Sequence, residues 1–249
     1  MQIGFIGAGN MASALARGWG EPVMVRDLFR PRAEALVEEL GGEVVDSNAE
    51  LAERSDAILL CHKPVALQRV ADEVGGTAQG VISILGGVPL AELRGAYPDI
   101  PVVRMIPSLP VEVGRGVSAH ARDSQADPEL EAQTLELFGR VGAVVTVDEG
   151  LIGVATGLMS CAPAYMALVA EAQIDAGVRA GLPAEVASDL VIKTMGGTAA
   201  LLEARDRDTI GVRRAVTSPG GITARGLAAL EHSGIRAAFD DAMQAVLAR

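Results

Sequence analysis

Over the first 148 residues, short apolar runs alternate with stretches of helical period, and after that the alternation stops. Apolar runs occupy residues 2–6, 23–26, 43–45, 57–61, 81–85, 102–106 and 143–147, and helical periods fill 11–18, 32–40, 65–74 and 128–138. Strands that alternate with helices pair into a parallel sheet covered on both faces. The run Ala57-Ile58-Leu59-Leu60 is apolar on both faces, as a buried parallel strand requires. From residue 151 onward no strand signal remains. Helical periods at 151–180, 184–204, 209–216, 221–233 and 235–248 are separated by Gly181-Leu182-Pro183 and Thr217-Ser218-Pro219-Gly220. The chain therefore reads as an α/β protein with a Rossmann-like dinucleotide-binding domain over 1–149 and an all-α dimerisation and substrate domain over 150–249.

The helical half is too apolar to close on itself. Residues 158–170 are nearly all apolar, but Pro163 interrupts them and Glu171 and Asp175 soon follow, so the segment reads as a buried helix rather than a membrane span. A homodimer with interleaved helices would bury the remainder. The formal charge of −11 lacks the basic footprint of a nucleic-acid binder. Cys61 and Cys161 stand far apart without metal-ligand spacing, and they read as reduced thiols of a cytoplasmic protein. No secretory leader pattern opens the sequence.

The first strand runs into Gly7-Ala8-Gly9-Asn10-Met11-Ala12. The first glycine permits the tight turn, the second lets backbone approach a pyrophosphate, and Ala12 lets the following helix pack closely. Free N–H groups at that helix start, Asn10 and Met11 among them, favour an anion. The second strand ends in Val25-Arg26-Asp27-Leu28-Phe29-Arg30. Asp27 is placed to bind a ribose 2′-hydroxyl, while Arg26, Arg30 and Arg32 are each suited to a 2′-phosphate, so NADP and NAD both stay open. Cys61-His62-Lys63-Pro64 follows the fourth strand at its carboxyl end, where ligands of such sheets bind. Lys63 would lie near the cofactor, His62 is a candidate proton donor, and Pro64 is placed to start a helix.

Late in the chain, Pro219-Gly220-Gly221 precedes a helix with Ile222 and Thr223 in its first turn. Backbone amides there suit a small carboxylate, and the Thr223 hydroxyl suits a substrate nitrogen. The plainer reading makes Ser218 an ordinary helix cap. The sequence contains no nucleophile elbow, Walker loop or His-rich metal cluster. Hydride delivery to a protonated carbon–nitrogen double bond fits such a site, because orientation and a carboxylate seat matter more than a strong acid.

At this point the chain resembles the pyrroline-5-carboxylate reductases along its whole length, most strongly over 154–231. The motifs are Thr156-Gly157-Leu158, Pro163-Ala164-Tyr165, Asp175-Ala176-Gly177-Val178, Gly181-Leu182-Pro183 and the run from Arg213 to Glu231, with Asn10-Met11-Ala12 and Lys63-Pro64 in the first half. The resemblance implies reduction of 1-pyrroline-5-carboxylate to L-proline by NADPH or NADH, and an intertwined dimer that often assembles further, as far as a decamer. It implies a substrate carboxylate on the backbone of Ser218, Gly220, Gly221 and Ile222, a ring nitrogen at Thr223, and a pocket lined by Val216. Ser160 lies in the substrate-side loop Met159-Ser160-Cys161-Ala162, where the family usually has Ser-Gly-Ser-Gly. A Met-Pro-Asn-Thr-Pro loop of the family is Ile106-Pro107-Ser108-Leu109-Pro110 here, and Arg214 replaces a common Asp. These departures keep open a reductase of another cyclic imino acid or imine. A cofactor-binding dimer with impaired catalysis is the third alternative.

Overall fold

The computed structural model describes residues 1–248. It divides into two compact units, Met1–Pro163 and the helices from Ala164 onward.

The first unit is built on an eight-stranded sheet: β1 (Ile3–Ile6), β2 (Val23–Arg26), β3 (Gly42–Val44), β4 (Ala57–Leu60), β5 (Val81–Ser83), β6 (Val102–Pro107), β7 (Gly116–Arg122) and β8 (Gly142–Asp148). Its strand order is β3-β2-β1-β4-β5-β6-β7-β8. The chain leaves β1 toward β2 on one side and returns to β4 on the other, which opens a switch point at the carboxyl ends of β1 and β4. Helices α1 (Asn10–Trp19), α2 (Arg30–Leu40) and α6 (Pro128–Gly139) cover one face. Helices α3 (Asn48–Glu53), α4 (Leu67–Val74), α5 (Leu90–Ala96) and α7 (Ile152–Met159) cover the other. Strand alternation divides the core accordingly: Ile58 and Leu60 pack with Val70, Val74 and Leu93, while Leu59 packs with Phe5, Leu15 and Phe138.

The expectation of a wholly parallel sheet is corrected at one junction. β7 pairs antiparallel with β6, through Ile106 opposite Ala119, and parallel with β8. Only a single short 3₁₀ turn at Leu109–Val113 connects β6 to β7, too little chain for the crossover that a parallel pair needs. β7 gave no strand signal because its buried positions include Ser118 and His120.

The expected helix over 151–180 is two helices. The chain turns at Ser160 and Cys161, whose N–H groups both donate to the Thr156 carbonyl (2.9 and 3.0 Å), and Pro163 then sits in the first turn of α8 (Ala162–Arg179). The expected domain boundary at residue 149 falls just after β8, whereas the first compact unit runs on to Pro163 because α7 packs on the sheet through the buried Ile152. The second unit continues with α9 (Ala184–Ala204), α10 (Thr209–Ala215), α11 (Ile222–His232) and α12 (Ile235–Leu247). Within one chain the expected burial of 158–170 does not occur: Leu158 and Leu168 are 68% and 64% exposed. By length and composition alone, the stretch Glu149–Arg179 is long and apolar enough to cross a membrane.

Candidate active site

The glycine loop after β1 forms the floor of a crevice of about 800 Å³ at the switch point. Gly7 has φ +111°, and its N–H donates to the Arg26 carbonyl (2.7 Å). A Cβ there would lie 2.9 Å from the Cys61 carbonyl carbon and oxygen, so only glycine fits between β1 and the end of β4. At Gly9 a Cβ would meet nothing within 4 Å, which leaves the backbone approachable from the crevice. Gly9 is the N-cap of α1, and no side chain caps the helix. The N–H groups of the first turn, at Asn10 and Met11, are thus left for an anion, and Ala12 is buried under them.

The structure brings the other expected cofactor residues, except Pro64, to the walls of the same crevice. Asp27 is turned back onto the loop: Oδ2 accepts the Ala8 N–H (2.7 Å) and Oδ1 the Phe29 N–H (2.7 Å). Arg26 donates from Nε to the Asp46 carbonyl (3.2 Å) and from Nη1 to the Asp27 carbonyl. On the β4 side stand His62 and Lys63, and Pro64 opens a 3₁₀ turn that leads into α4. Burial pushes the His62 imidazole below its ordinary range, and Arg69 adds to this against the Lys63 carbonyl and Glu73. Its Nδ1 lies 2.9 Å from the Lys63 carbonyl, so Nδ1 carries the hydrogen and Nε2 is left an acceptor, buried without a partner. Burial likewise raises the Cys61 thiol, which favours its neutral form.

Sequence reasoning missed Asn48. It is buried in the crevice wall, donates from Nδ2 to Glu73 Oε2 (2.6 Å), and leaves Oδ1 without a partner. Asn48 opens α3, where the N-cap Ser47 accepts the Glu50 N–H at Oγ (3.1 Å) and Glu50 Oε2 accepts the Asp46 N–H (3.3 Å). Ser160 donates from Oγ to the Pro107 carbonyl (3.2 Å), tying the α7–α8 break to the end of β6. Ser108, in the same loop, is buried and accepts the Val117 N–H (2.9 Å).

In the second unit, residues 216–221 form a largely exposed turn that leads into α11, whose first residues are Ile222 and Thr223. Gly220 has φ +69°, and a Cβ on Gly221 would run into Ser218 Oγ. The reading of Ser218 as a helix cap is corrected. Gly221 is the N-cap, its N–H donates to the Ser218 carbonyl (3.0 Å), and no side chain caps α11. The amides of Ile222 and Thr223 therefore lack helical partners, and the Thr223 hydroxyl makes no hydrogen bond among the described residues. Such a turn can hold a carboxylate by main-chain N–H groups. Val216 stands beside it, 61% exposed.

Residues 149–249 match the family model described as pyrroline-5-carboxylate reductase dimerisation, and residues 2–87 match that of the NADP oxidoreductases described as coenzyme F420-dependent. The chain is 38% identical to the pyrroline-5-carboxylate reductase of Synechocystis sp., across all of this chain and 97% of that one. The chain belongs to the pyrroline-5-carboxylate reductase family. The Thermus thermophilus reductase is 35% identical, with 100% and 97% covered. Among solved structures, the pyrroline carboxylate reductase of Plasmodium falciparum with NADP bound is similar at a TM-score of 0.89 and 27% identity, covering 99% of this chain and 95% of that one. The reductase dimerisation region begins at the end of β8, so it includes α7 as well as the whole second unit.

Proposed function

We propose that the protein reduces 1-pyrroline-5-carboxylate to L-proline, taking a hydride and a proton and releasing NADP⁺ or NAD⁺. The observation that carries this reading is the full-length relatedness to named pyrroline-5-carboxylate reductases, with an uncapped anion seat in each unit. The bound nicotinamide supplies the hydride. Gly7, Gly9, Asn10 and Met11 hold the pyrophosphate by main-chain contacts, with Arg26 and Asp27 at the adenosine ribose. His62, Lys63 and Pro64 border the nicotinamide half. Amides of Gly220, Gly221 and Ile222, with Ser218, hold the substrate carboxylate. The Thr223 hydroxyl fixes the ring nitrogen, Val216 limits the ring, and Ser160 shapes the substrate-side loop. Orientation then does most of the work, because a protonated imine is already electrophilic.

The same reading takes the protein as a homodimer through its helical unit, able to assemble further into a decamer. Exposed apolar residues such as Leu168, Leu190 and Ile192 support partner burial rather than a membrane. The acidic balance argues against a nucleic-acid partner, and two unpaired cysteines suit the cytoplasm.

Nicotinamide oxidation with pyrroline-5-carboxylate, its six-membered homologue and an uncharged pyrroline tests the substrate. Turnover should be fastest with pyrroline-5-carboxylate and should yield L-proline. Turnover with the other imines alone would overturn the assignment, as would binding of cofactor without turnover of any imine.

A further inference from the structure

The segment that leaves β2 carries three arginines, and they are engaged differently. Arg26 is spent on main chain, at the Asp27 and Asp46 carbonyls. Arg30 is held between Glu34 (Nε to Oε1, 2.9 Å) and Asp46 (Nη1 to Oδ1, 2.7 Å) and does not line the crevice. Arg32 has no ion pair among the described residues. Its guanidinium carbon lies 5.6 Å from the centroid of the Phe29 ring, and both side chains line the crevice on the β2 side. Phe29 is 58% exposed, so the core does not account for an aromatic there.

Asp27 completes the pattern. A carboxylate at this position with free oxygens would bind the ribose hydroxyls and repel a phosphate. Here each oxygen already accepts a main-chain N–H, so the charge is partly neutralised and turned into the loop. The other crevice cations without an ion pair among the described residues, Lys63 and Arg69, belong to the β4 side, across the switch point. We infer that Arg32, steadied on Phe29, recognises the adenosine 2′-phosphate and makes NADPH the preferred cofactor, whereas Arg26 and Arg30 shape the loop. This rests on the crevice being a dinucleotide site. A guanidinium stacked on a ring keeps its fork free for phosphate oxygens and loses less freedom on binding than an unsupported arginine.

The test uses two adenosine fragments that differ only in the 2′-phosphate, 2′,5′-ADP and 5′-AMP, titrated calorimetrically into the full-length protein and its R32A and R26A variants. Circular dichroism verifies the fold of each. R32A should weaken 2′,5′-ADP by about tenfold or more, the loss of one charge-assisted contact, and leave 5′-AMP within about twofold. NADPH and NADH should repeat that split, and R26A should affect both fragments alike. Equal losses in R32A, no loss, or a 2′-phosphate-selective loss in R26A would overturn the inference. Wild-type protein that binds both fragments equally well would end the inference but leave the dinucleotide site standing. Binding of neither fragment would remove both.

Discussion

The two units bury their apolar residues very differently. The first lays helices on both faces of its sheet and closes two cores, one around Ile58, Leu60 and Val74, the other around Leu15, Leu59 and Phe138. In the second, the buried hydrophobic residues among those described are Ala170, Ala187 and Val212, while α9 alone leaves Val186, Leu190, Ile192 and Leu201 open. One unit is completed by its own chain and the other is not. The difference separates the tasks: the carboxyl end of a covered sheet, with its pre-formed crevice, can seat a cofactor by itself, whereas the helices leave apolar residues for a partner to cover.

The largest effect expected from that contrast is on assembly. Leu190→Asp places a carboxylate among residues that a partner must cover, at a cost of more than about 3 kcal/mol. Sedimentation should show the dimer lost, and an intact dimer would mean that α9 faces solvent. Next is Gly7→Ala in the first unit. The left-handed backbone and the contact with Cys61 should cost roughly 1–3 kcal/mol of stability and abolish tight cofactor binding. Unchanged melting and NADPH affinity would refute that close approach. In the second unit, Thr223→Ala should lower kcat/KM by about ten- to a hundredfold, or 1–3 kcal/mol, with cofactor affinity nearly unchanged. Parallel losses in turnover and cofactor binding would reassign the hydroxyl.

The smallest effect is on acid stability. Burial holds both His62 and His120 below the ordinary imidazole range in the folded chain. Unfolding lets them take up protons, so their contribution to stability is full above the unfolded value near pH 6.5 and is lost as pH falls through the folded value. The loss is at most about 1.4 kcal/mol per pH unit for each histidine. Denaturant melts at pH 7.5 and 5.5 should show the first unit weakening, and His120→Gln should flatten part of that slope. An unchanged slope would mean that His120 is already charged, beside Glu131 Oε1 at 3.3 Å.

Local pattern reveals much of this molecule and then runs out at identifiable places. β2 and α9 fall where periodicity and the flanking glycine and proline residues put them, because those segments are apolar on the faces that pattern reads. β7 was hidden because its inward positions carry Ser118 and His120, and the His120 imidazole meets Thr146 and Glu131, each distant in sequence. The glycine loop was legible because one strand, one turn and one helix define it. Asn48 was not, because its partner Glu73 comes from α4. Nor was the tether at Glu149, which accepts from the Leu90 N–H and from Arg104 Nη1 and so joins the end of β8 to α5 and β6. Asp27 was found by its spacing, but the inward turn of its carboxylate depends on two amides that spacing does not report.

The most direct test is a crystal structure of the dimer with NADP⁺ and L-proline. The proline carboxylate should lie on the amides of Gly220, Gly221 and Ile222, with its nitrogen at Thr223 Oγ1 and its C5 facing C4 of the nicotinamide. A proline held elsewhere, with residues 220–223 distant from the nicotinamide in every pairing of subunits, would contradict the account.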